Sequence, residues 1–402
     1  MVLKILVYKN TLIDLIPKIY LCFFIHLYMN HGIWPIMHLT NLSIVNFKNI
    51  REAELTFSPG INCFLGKNGE GKTNLLDAIY YLSFCKSHSN PIDSQNITHD
   101  ADFFVLQAHY KNGDFNDEIY CGMKRRQKKV FKRNKKEYDK LSEHIGRIPL
   151  VLISPSDEEL IREGSDERRR FMDMVISQYD HAYMSALMSY NKTLQQRNAL
   201  LKSETMQDES LWCMYEEIMA SDARIVFQKR TAFIEAFTPV FEHFYQKISG
   251  GKEQIQLTYS SHLQEGDLAK KLQGCRQRDL LLGYTTAGIH KDDLLMELEG
   301  HPIKRVGSQG QNKSYLIALK LAQFDFLKKA GKATPILLLD DLFDKLDAVR
   351  VERIINLVSG KEFGQIFITD TNRENPDHLL QRTGENYRIF YVEDGQIQSM
   401  KS

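Results

Sequence analysis

A glycine-rich segment at residues 66–73 constrains the fold of this chain more than any other stretch. It reads GKNGEGKT and fits the phosphate-loop pattern G-x-x-x-x-G-K-[ST]. The apolar run at 60–65 predicts a short buried strand, and apolar residues near helical spacing at 72–84 predict a helix. A strand, a glycine-rich loop and a helix in this order point backbone N–H groups at one anion. The segment therefore predicts a nucleotide site; the alternative is a glycine-rich turn that ends in Lys-Thr by chance.

Each residue type in this loop has an expected task. The glycines let the backbone fold tightly around phosphate oxygens. The Lys72 ammonium would reach the β- and γ-phosphates and assist catalysis, and the Thr73 hydroxyl would ligate Mg²⁺. The residues expected to bind the nucleotide are Gly66, Lys67, Asn68, Gly69, Glu70, Gly71, Lys72 and Thr73.

A second motif, at 335–341, supplies acidic residues. An apolar run ends in Asp340 and Asp341, which is typical of a buried parallel strand that carries carboxylates to its carboxyl end, where ligands bind. We expect Asp340 to hold the metal and Asp341 to orient or deprotonate the attacking water. The alternative for the motif alone is a strand followed by an acidic turn or a helix cap.

Composition sets wide limits on function. The 402 residues suffice for two or three domains, and 43% hydrophobic with 26% charged residues is typical of a soluble globular protein. The six cysteines are scattered without a C-x-x-C pair, which argues against a zinc site or a disulfide scaffold and favours the cytoplasm. Because the net charge is only +1, nucleic-acid binding would depend on local patches. The densest basic run, at 124–136, fits phosphate contacts and a solvated hairpin equally well.

The N-terminus and the middle of the chain differ in residue composition. Residues 19–29 are strongly apolar but too short for an ordinary membrane span, so we expect 1–36 to be an extension outside the functional fold, with a membrane anchor as the alternative. Proline is absent from 156–238, and no heptad repeat is sustained, which predicts a helical arm and not a long coiled coil. Residues 297–306 are expected to be rich in strands.

A short motif at 308–311, SQGQ, precedes a helical pattern. A Ser-containing turn that opens a helix presents a hydroxyl and N–H groups to an anion. The motif resembles the signature of ABC-type ATPases, and Leu346 with Asp347 resembles their D-loop. The switch residue near Thr371 stays open. In that family the signature of one subunit covers the nucleotide held by another subunit. The resemblance therefore implies that four more residues bind nucleotide: Ser308, Gln309, Gly310 and Gln311.

Several further blocks, in order along the chain, resemble the RecF family of DNA replication and repair proteins. They lie at 42–49, 154–157, 167–173, 196–202 and 288–293. The resemblance implies an α/β fold, an ABC-type P-loop ATPase head with mixed β-sheets and an inserted helical arm. It divides the chain into one half of the head at 37–150, the arm at 151–285 and the other half of the head at 286–402.

The same resemblance implies a function. ATP and Mg²⁺ would close a homodimer over single-stranded or gapped double-stranded DNA, slow DNA-stimulated hydrolysis would release it, and RecR and RecO would be partners in loading recombinase. Arg168 and Arg169 are candidates for DNA contact, or could pair with Glu158, Glu159 or Glu163. Two rival functions remain: an ATPase subunit that energises a membrane transporter, and an ATP-binding switch with negligible turnover.

Overall fold

A computed structural model describes most of the chain from Met37 onward. The described residues are 37–113, 115–203, 208–251, 253–331, 333–341, 350, 353–354, 357–358, 361–371 and 387–399. The predicted extension at 1–36 and the D-loop residues Leu346 and Asp347 lie outside them.

The described residues form fifteen strands and eight α-helices. The strands are β1 (Met37–Phe47), β2 (Ile50–Thr56), β3 (Ile61–Leu65), β4 (Phe103–Asn112), β5 (Phe115–Lys124), β6 (Val130–Arg133), β7 (Lys136–Glu137), β8 (Leu150–Ile153), β9 (Ile255–Ser260), β10 (Asp293–Leu298), β11 (His301–Pro302), β12 (Ile336–Leu339), β13 (Ile366–Asp370), β14 (Tyr387–Glu393) and β15 (Gln396–Ser399). The α-helices are α1 (Lys72–Phe84), α2 (Glu159–Arg162), α3 (Ser165–Ser177), α4 (His181–Leu201), α5 (Glu209–Ser249), α6 (Leu268–Leu282), α7 (Ile303–Val306) and α8 (Gln309–Ala330).

A mostly parallel sheet carries both predicted motifs. Its strand order is β15-β14-β3-β13-β12-β8, and only β15, at one edge, pairs antiparallel within the described strands. The register pairs Leu65 with Asp370 and Leu339 with Ile368, so that β3, β13 and β12 end at the same edge. Because the phosphate loop follows β3 and the acidic pair follows β12, both motifs meet at the carboxyl edge of the sheet.

Both faces of this sheet are covered where β8 and β12 lie, which explains why these two strands are apolar without alternation. In β12, Leu337 and Leu339 face a core shared with the arm helices and α8. Ile336 and Leu338 face a second core, shared with α1 and the first strands of the chain. Burial on both faces fixes the position of β12, and with it the position of the two acids that follow.

An antiparallel sheet in the order β2-β1-β4-β5-β6-β7 packs over α1, and a smaller one has the order β11-β10-β9. The basic run at 124–136 forms the turn between β5 and β6, then β6, and a tight turn at Asn134 and Lys135, whose φ angles of 50° and 67° are left-handed. The run is therefore a hairpin, and its exposed residues are Lys124, Arg125, Arg126, Gln127, Lys128, Asn134, Lys135 and Lys136.

The arm is helical, as the sequence predicts. The 41 residues of α5 make it roughly 60 Å long at 1.5 Å per residue, and it packs against α4 on one side and α8 on the other. The expectation of strands at 297–306 holds only in part: the segment contains the end of β10 and the whole of β11, but Ile303–Val306 is a helical turn. β8 lies across the predicted boundary at 150/151 and belongs to the parallel sheet. The architecture confirms the predicted α/β head with mixed sheets and an arm. In the part of the chain that the structure describes, no helix combines the length and apolar character needed to span a membrane.

Candidate nucleotide-binding site

The phosphate loop connects β3 to α1 through glycines whose geometry other residues would resist. Gly69 and Gly71 have φ angles of 88° and 112°, in the left-handed region that L-residues with side chains rarely adopt. A Cβ on Gly66 would lie 2.3 Å from the carbonyl oxygen of Val392 on β14. These constraints give the loop its tight path around the N-terminus of α1.

Lys72, the first residue of α1, bends back over the loop. Its Nζ donates hydrogen bonds to the carbonyl oxygens of Gly66, at 2.7 Å, and Lys67, at 2.8 Å, and only 7% of the residue's surface is exposed. Burial lowers the pKa of the ammonium, and the nearby carboxylates of Asp341 and Asp340 oppose that shift. The cation therefore already lies at the loop, where phosphate oxygens can take over from the two carbonyls.

Asp340 lies directly beside the loop. Its Oδ1 accepts hydrogen bonds from the hydroxyls of Thr73, at 3.0 Å, and Thr369, at 2.8 Å. Its backbone N–H donates to the carbonyl of Ile153 on β8 at 2.8 Å, which extends the sheet by one residue. Burial raises the pKa of this carboxyl, while the two hydroxyls lower it. The two predicted metal ligands, Thr73 and Asp340, are thus in direct contact.

Asp341 turns away from the strand. Its φ of 45° is left-handed, a conformation that Asp tolerates, and its N–H donates to the Thr369 hydroxyl at 2.9 Å. Thr369, buried near the end of β13, thereby fixes both acids. The sequence by itself assigns no role to Thr369 and leaves the switch residue open near Thr371, two positions further along; the place of Thr369 near the end of a strand parallel to β12 is the signal for its role.

The loop and the acids enclose a cavity of about 200 Å³. Its lining consists of Asn68, Gly69, Gly71, Lys72, Thr73, Asn74, Asp340, Asp341 and Thr369. A hydroxyl and a carboxylate oxygen fit Mg²⁺, which binds through one or two protein oxygens together with substrate phosphates and water. The described residues contain no cluster of three or more His, Cys, Asp or Glu suited to a metal.

Glu70 anchors the loop from outside the cavity. Its Oε2 accepts from the N–H of Asp394 at 2.5 Å, and its carbonyl accepts from Gly395 N at 2.9 Å and Asn49 Nδ2 at 3.2 Å. The side chain ties the loop to the turn between β14 and β15. Sequence reasoning had placed it among the nucleotide-binding residues.

The signature residues stand apart from the cavity. Ser308 caps α8: its Oγ accepts from Gln311 N at 3.3 Å, and Gln311 Oε1 accepts from Ser308 N at 2.8 Å. Ser308 and Gln309 are exposed, and a Cβ on Gly310 would lie 2.5 Å from an Arg350 nitrogen. None of the four residues at 308–311 lines the cavity in the described part of the chain. The structure therefore brings the loop and the acids together but leaves the signature facing outward.

The two candidate DNA-binding arginines have internal partners. Arg168 forms a paired contact with Asp293 through Nε, at 2.7 Å, and Nη2, at 3.0 Å. Arg169 contacts Asp166 and the carbonyl of Asp292. The carboxylates involved are therefore not the neighbouring glutamates that the sequence suggested.

A groove of about 750 Å³ lies beside the loop, and Asn49 connects the two because it lines the groove and bonds to Glu70. The basic residues of its lining are Lys48, Arg51, His99 and Arg125. Asp77 and Asp100 pair with Lys48 and Arg51. The Arg125 guanidinium, by contrast, donates to the backbone carbonyls of Ala101 and His99. Because these partners are uncharged, they do not neutralise its positive charge.

Known proteins are similar to this chain in sequence and in fold. The chain matches the RecF/RecN/SMC N terminal domain model over residues 38–398. It is 60% identical over 367 residues to the DNA replication and repair protein RecF of Phocaeicola vulgatus, and the alignment covers 91% of this chain and 99% of that protein. It is 61% identical over 366 residues to RecF of Bacteroides fragilis, with the same coverage, and 51% identical over 358 residues to RecF of Flavobacterium johnsoniae, covering 88% and 99%.

Solved structures give the same result. The recombination mediator protein RecF with ATP, in the RecFOR pathway, superposes with a TM-score of 0.83 at 28% identity and covers 92% of this chain and 100% of that chain. The Smc head domain from Pyrococcus furiosus has a TM-score of 0.55 at 17% identity, covers 91% and 97%, and shares the fold.

Proposed function

This chain belongs to the RecF family of DNA replication and repair proteins, and on that premise we propose that it is an ATP-controlled DNA clamp of recombinational repair. The observation that carries the proposal is the 3.0 Å contact between Thr73 of the phosphate loop and Asp340, in one cavity with Lys72, while Ser308 faces outward. The similar solved RecF binds ATP, and the cavity of this chain has the residues to do the same.

In the proposed site, backbone N–H groups of residues 66–73 and the N-terminus of α1 hold the phosphates. Lys72 exchanges its two carbonyl partners for phosphate oxygens. Thr73 and Asp340 would hold Mg²⁺, which supplies charge neutralisation for the transferred phosphoryl group. Asp341, fixed by Thr369, is the carboxylate placed to orient or accept a proton from the attacking water.

One chain holds only part of this site. Ser308, Gln309, Gly310 and Gln311 would cover the nucleotide of a second copy, so two chains would hold two ATP molecules between them. The exposure of Ser308 and Gln309 supports this arrangement, because a signature that served its own cavity would line it. ATP would then be the ligand that closes the dimer.

The proposed cargo is single-stranded and gapped double-stranded DNA, held by phosphate contacts, with RecR and RecO as partners in the cytoplasm. The exposed turn between β5 and β6 and the adjoining groove are the surface we assign to DNA. Membership of the RecF family favours this function over the transporter subunit. A switch with negligible turnover differs only in rate, and ATP hydrolysis measured with and without gapped DNA separates it from an enzyme.

The dimer is tested by Ser308→Arg, which places a large cation at the start of α8. We expect ATP binding to stay within about twofold of the unsubstituted chain, because Ser308 does not line its own cavity. ATP-dependent dimerisation, measured by sedimentation velocity, should fall at least tenfold. The matched control is Gln273→Arg on the exposed face of α6. If Ser308→Arg still forms dimers with ATP, the signature does not act on a partner chain.

A further inference from the structure

Gln311 is held at both ends of its side chain. Its Oε1 accepts from the Ser308 N–H at 2.8 Å, and its Nε2 donates to Glu253 Oε1 at 2.8 Å. A carboxylate can only accept hydrogen bonds, so the Gln311 side chain must turn its NH₂ group, and not its oxygen, toward Glu253. The flipped amide would set its NH₂ group against the Ser308 N–H. Glu253 therefore selects the amide orientation that completes the cap of α8.

Glu253 is in turn fixed by the base of the arm. The Tyr245 hydroxyl, near the end of α5, donates to Glu253 Oε2. The Tyr245 ring is buried and packs against Tyr315 of α8 with ring centroids 5.7 Å apart. Burial and the Glu253 carboxylate both raise the pKa of this phenol, so it keeps its proton and remains a donor. A continuous series of contacts thus runs from Tyr245 through Glu253 and Gln311 to Ser308.

We infer that Glu253 is a positioning residue for the signature: it sets the Ser308–Gln311 cap in the shape that covers the nucleotide of a second chain. The inference rests on the proposed dimer function. Because the Tyr245 hydroxyl of α5 fixes Glu253, the conformation of the signature depends on how the C-terminal end of α5 packs. A change in the arm, such as one caused by bound DNA, would reach the signature through this carboxylate.

The direct test is hydrogen–deuterium exchange in the full chain without nucleotide. We expect Glu253→Ala to raise exchange at the amides of residues 308–312 at least fivefold, because the Gln311 amide loses its fixed orientation. Glu253→Gln, which can still accept from Gln311 through its own oxygen, should restore most of the protection. Unchanged exchange in Glu253→Ala overturns the inference without touching the proposed dimer.

The functional test separates nucleotide binding from dimerisation. In Glu253→Ala the ATP affinity of the monomer should stay within twofold, and the ATP-dependent dimer should weaken at least tenfold. Tyr245→Phe, which removes only the hydroxyl, should weaken it less. The matched control is Glu299→Ala, whose carboxylate accepts from Gln254 N at 2.6 Å and does not contact the signature in the described residues. Equal loss in Glu253→Ala and Glu299→Ala would show a general effect on stability and overturn the inference. If the unsubstituted chain does not dimerise with ATP, the proposed function fails and this role of Glu253 fails with it.

Discussion

At the scale of the residue, the Thr369 hydroxyl positions both acids of the proposed nucleotide site. It donates to Asp340 Oδ1 and accepts from the N–H of Asp341. One side chain therefore positions both the carboxylate proposed to hold Mg²⁺ and the backbone of the residue proposed to act on the attacking water. A hydroxyl suits this position because it can donate and accept at once. Valine has nearly the same shape but can do neither.

Lys72 gives the residue-scale prediction. Lys72→Ala removes a charged contact to the phosphates, and hydrogen bonds to charged groups contribute about 1.5–3 kcal/mol each. We expect ATP affinity, measured by calorimetry, to fall roughly 10- to 100-fold by that conversion, and ATP-driven dimerisation to be abolished. Lys111→Ala, which removes an exposed cation of β4 outside the phosphate loop, is the matched control and should bind ATP nearly normally. ATP-dependent dimers that persist in Lys72→Ala would refute the role assigned to Lys72.

At the scale of the element, one buried guanidinium connects the arm to the head. Arg230 of α5 is 1% exposed and contacts Asp173 of α3 and Asp292 before β10, each at 2.8 Å. It also donates to the Tyr183 hydroxyl of α4 at 3.0 Å and to the carbonyl of Ile289 at 3.1 Å. Its charge and planar shape let it join four segments that no single apolar side chain could join by hydrogen bonds.

We predict that Arg230→Met lowers the free energy of unfolding by about 3–5 kcal/mol, because it leaves the buried Asp292 carboxylate without its cation. Lys229→Met is the matched control. Lys229 is the preceding residue, is 47% exposed and pairs with Asp180 at 2.7 Å, so its loss should cost at most about 1 kcal/mol. Urea denaturation of both variants measures the difference. Similar losses in the two variants would mean that the buried network contributes no more than a surface ion pair.

At the scale of the whole molecule, the exposed turn between β5 and β6 should hold DNA through its phosphates. The double change Arg126→Gln with Lys128→Gln removes two exposed cations. Each lost phosphate contact lowers the slope of log affinity against log salt by about 0.9 for duplex DNA. We expect the slope for gapped DNA, measured by fluorescence anisotropy, to fall by about one to two and the affinity to fall for all sequences alike.

The control for this surface is Lys270→Gln with Arg278→Gln, two exposed cations of α6 on the arm. It removes the same charge from another face of the molecule. If both double variants lose the same affinity, binding reflects total charge and the turn is not the DNA surface. An unchanged salt slope in the first variant would show that DNA is held elsewhere.

Sequence alone determined the parts of this protein whose causes are local. The helix predicted over 72–84 is α1, and the strand before the phosphate loop and the apolar strand before the acids both have the predicted form; the basic run is a hairpin, one of the two interpretations that the sequence allowed. Glycine geometry, side-chain periodicity and turn residues act over a few positions, so the sequence displays them directly.

The tertiary structure decided everything that depends on which distant segments touch. It placed Thr369 beside Asp340 by putting β13 next to β12, and it paired Arg168 with Asp293, 125 positions away, instead of a neighbouring glutamate. It also closed 303–306 into a helical turn and joined Glu253 to Gln311. These contacts follow from how sheets and helices bury their apolar faces against one another. Because close packing involves segments from the whole chain, no local stretch of sequence specifies them.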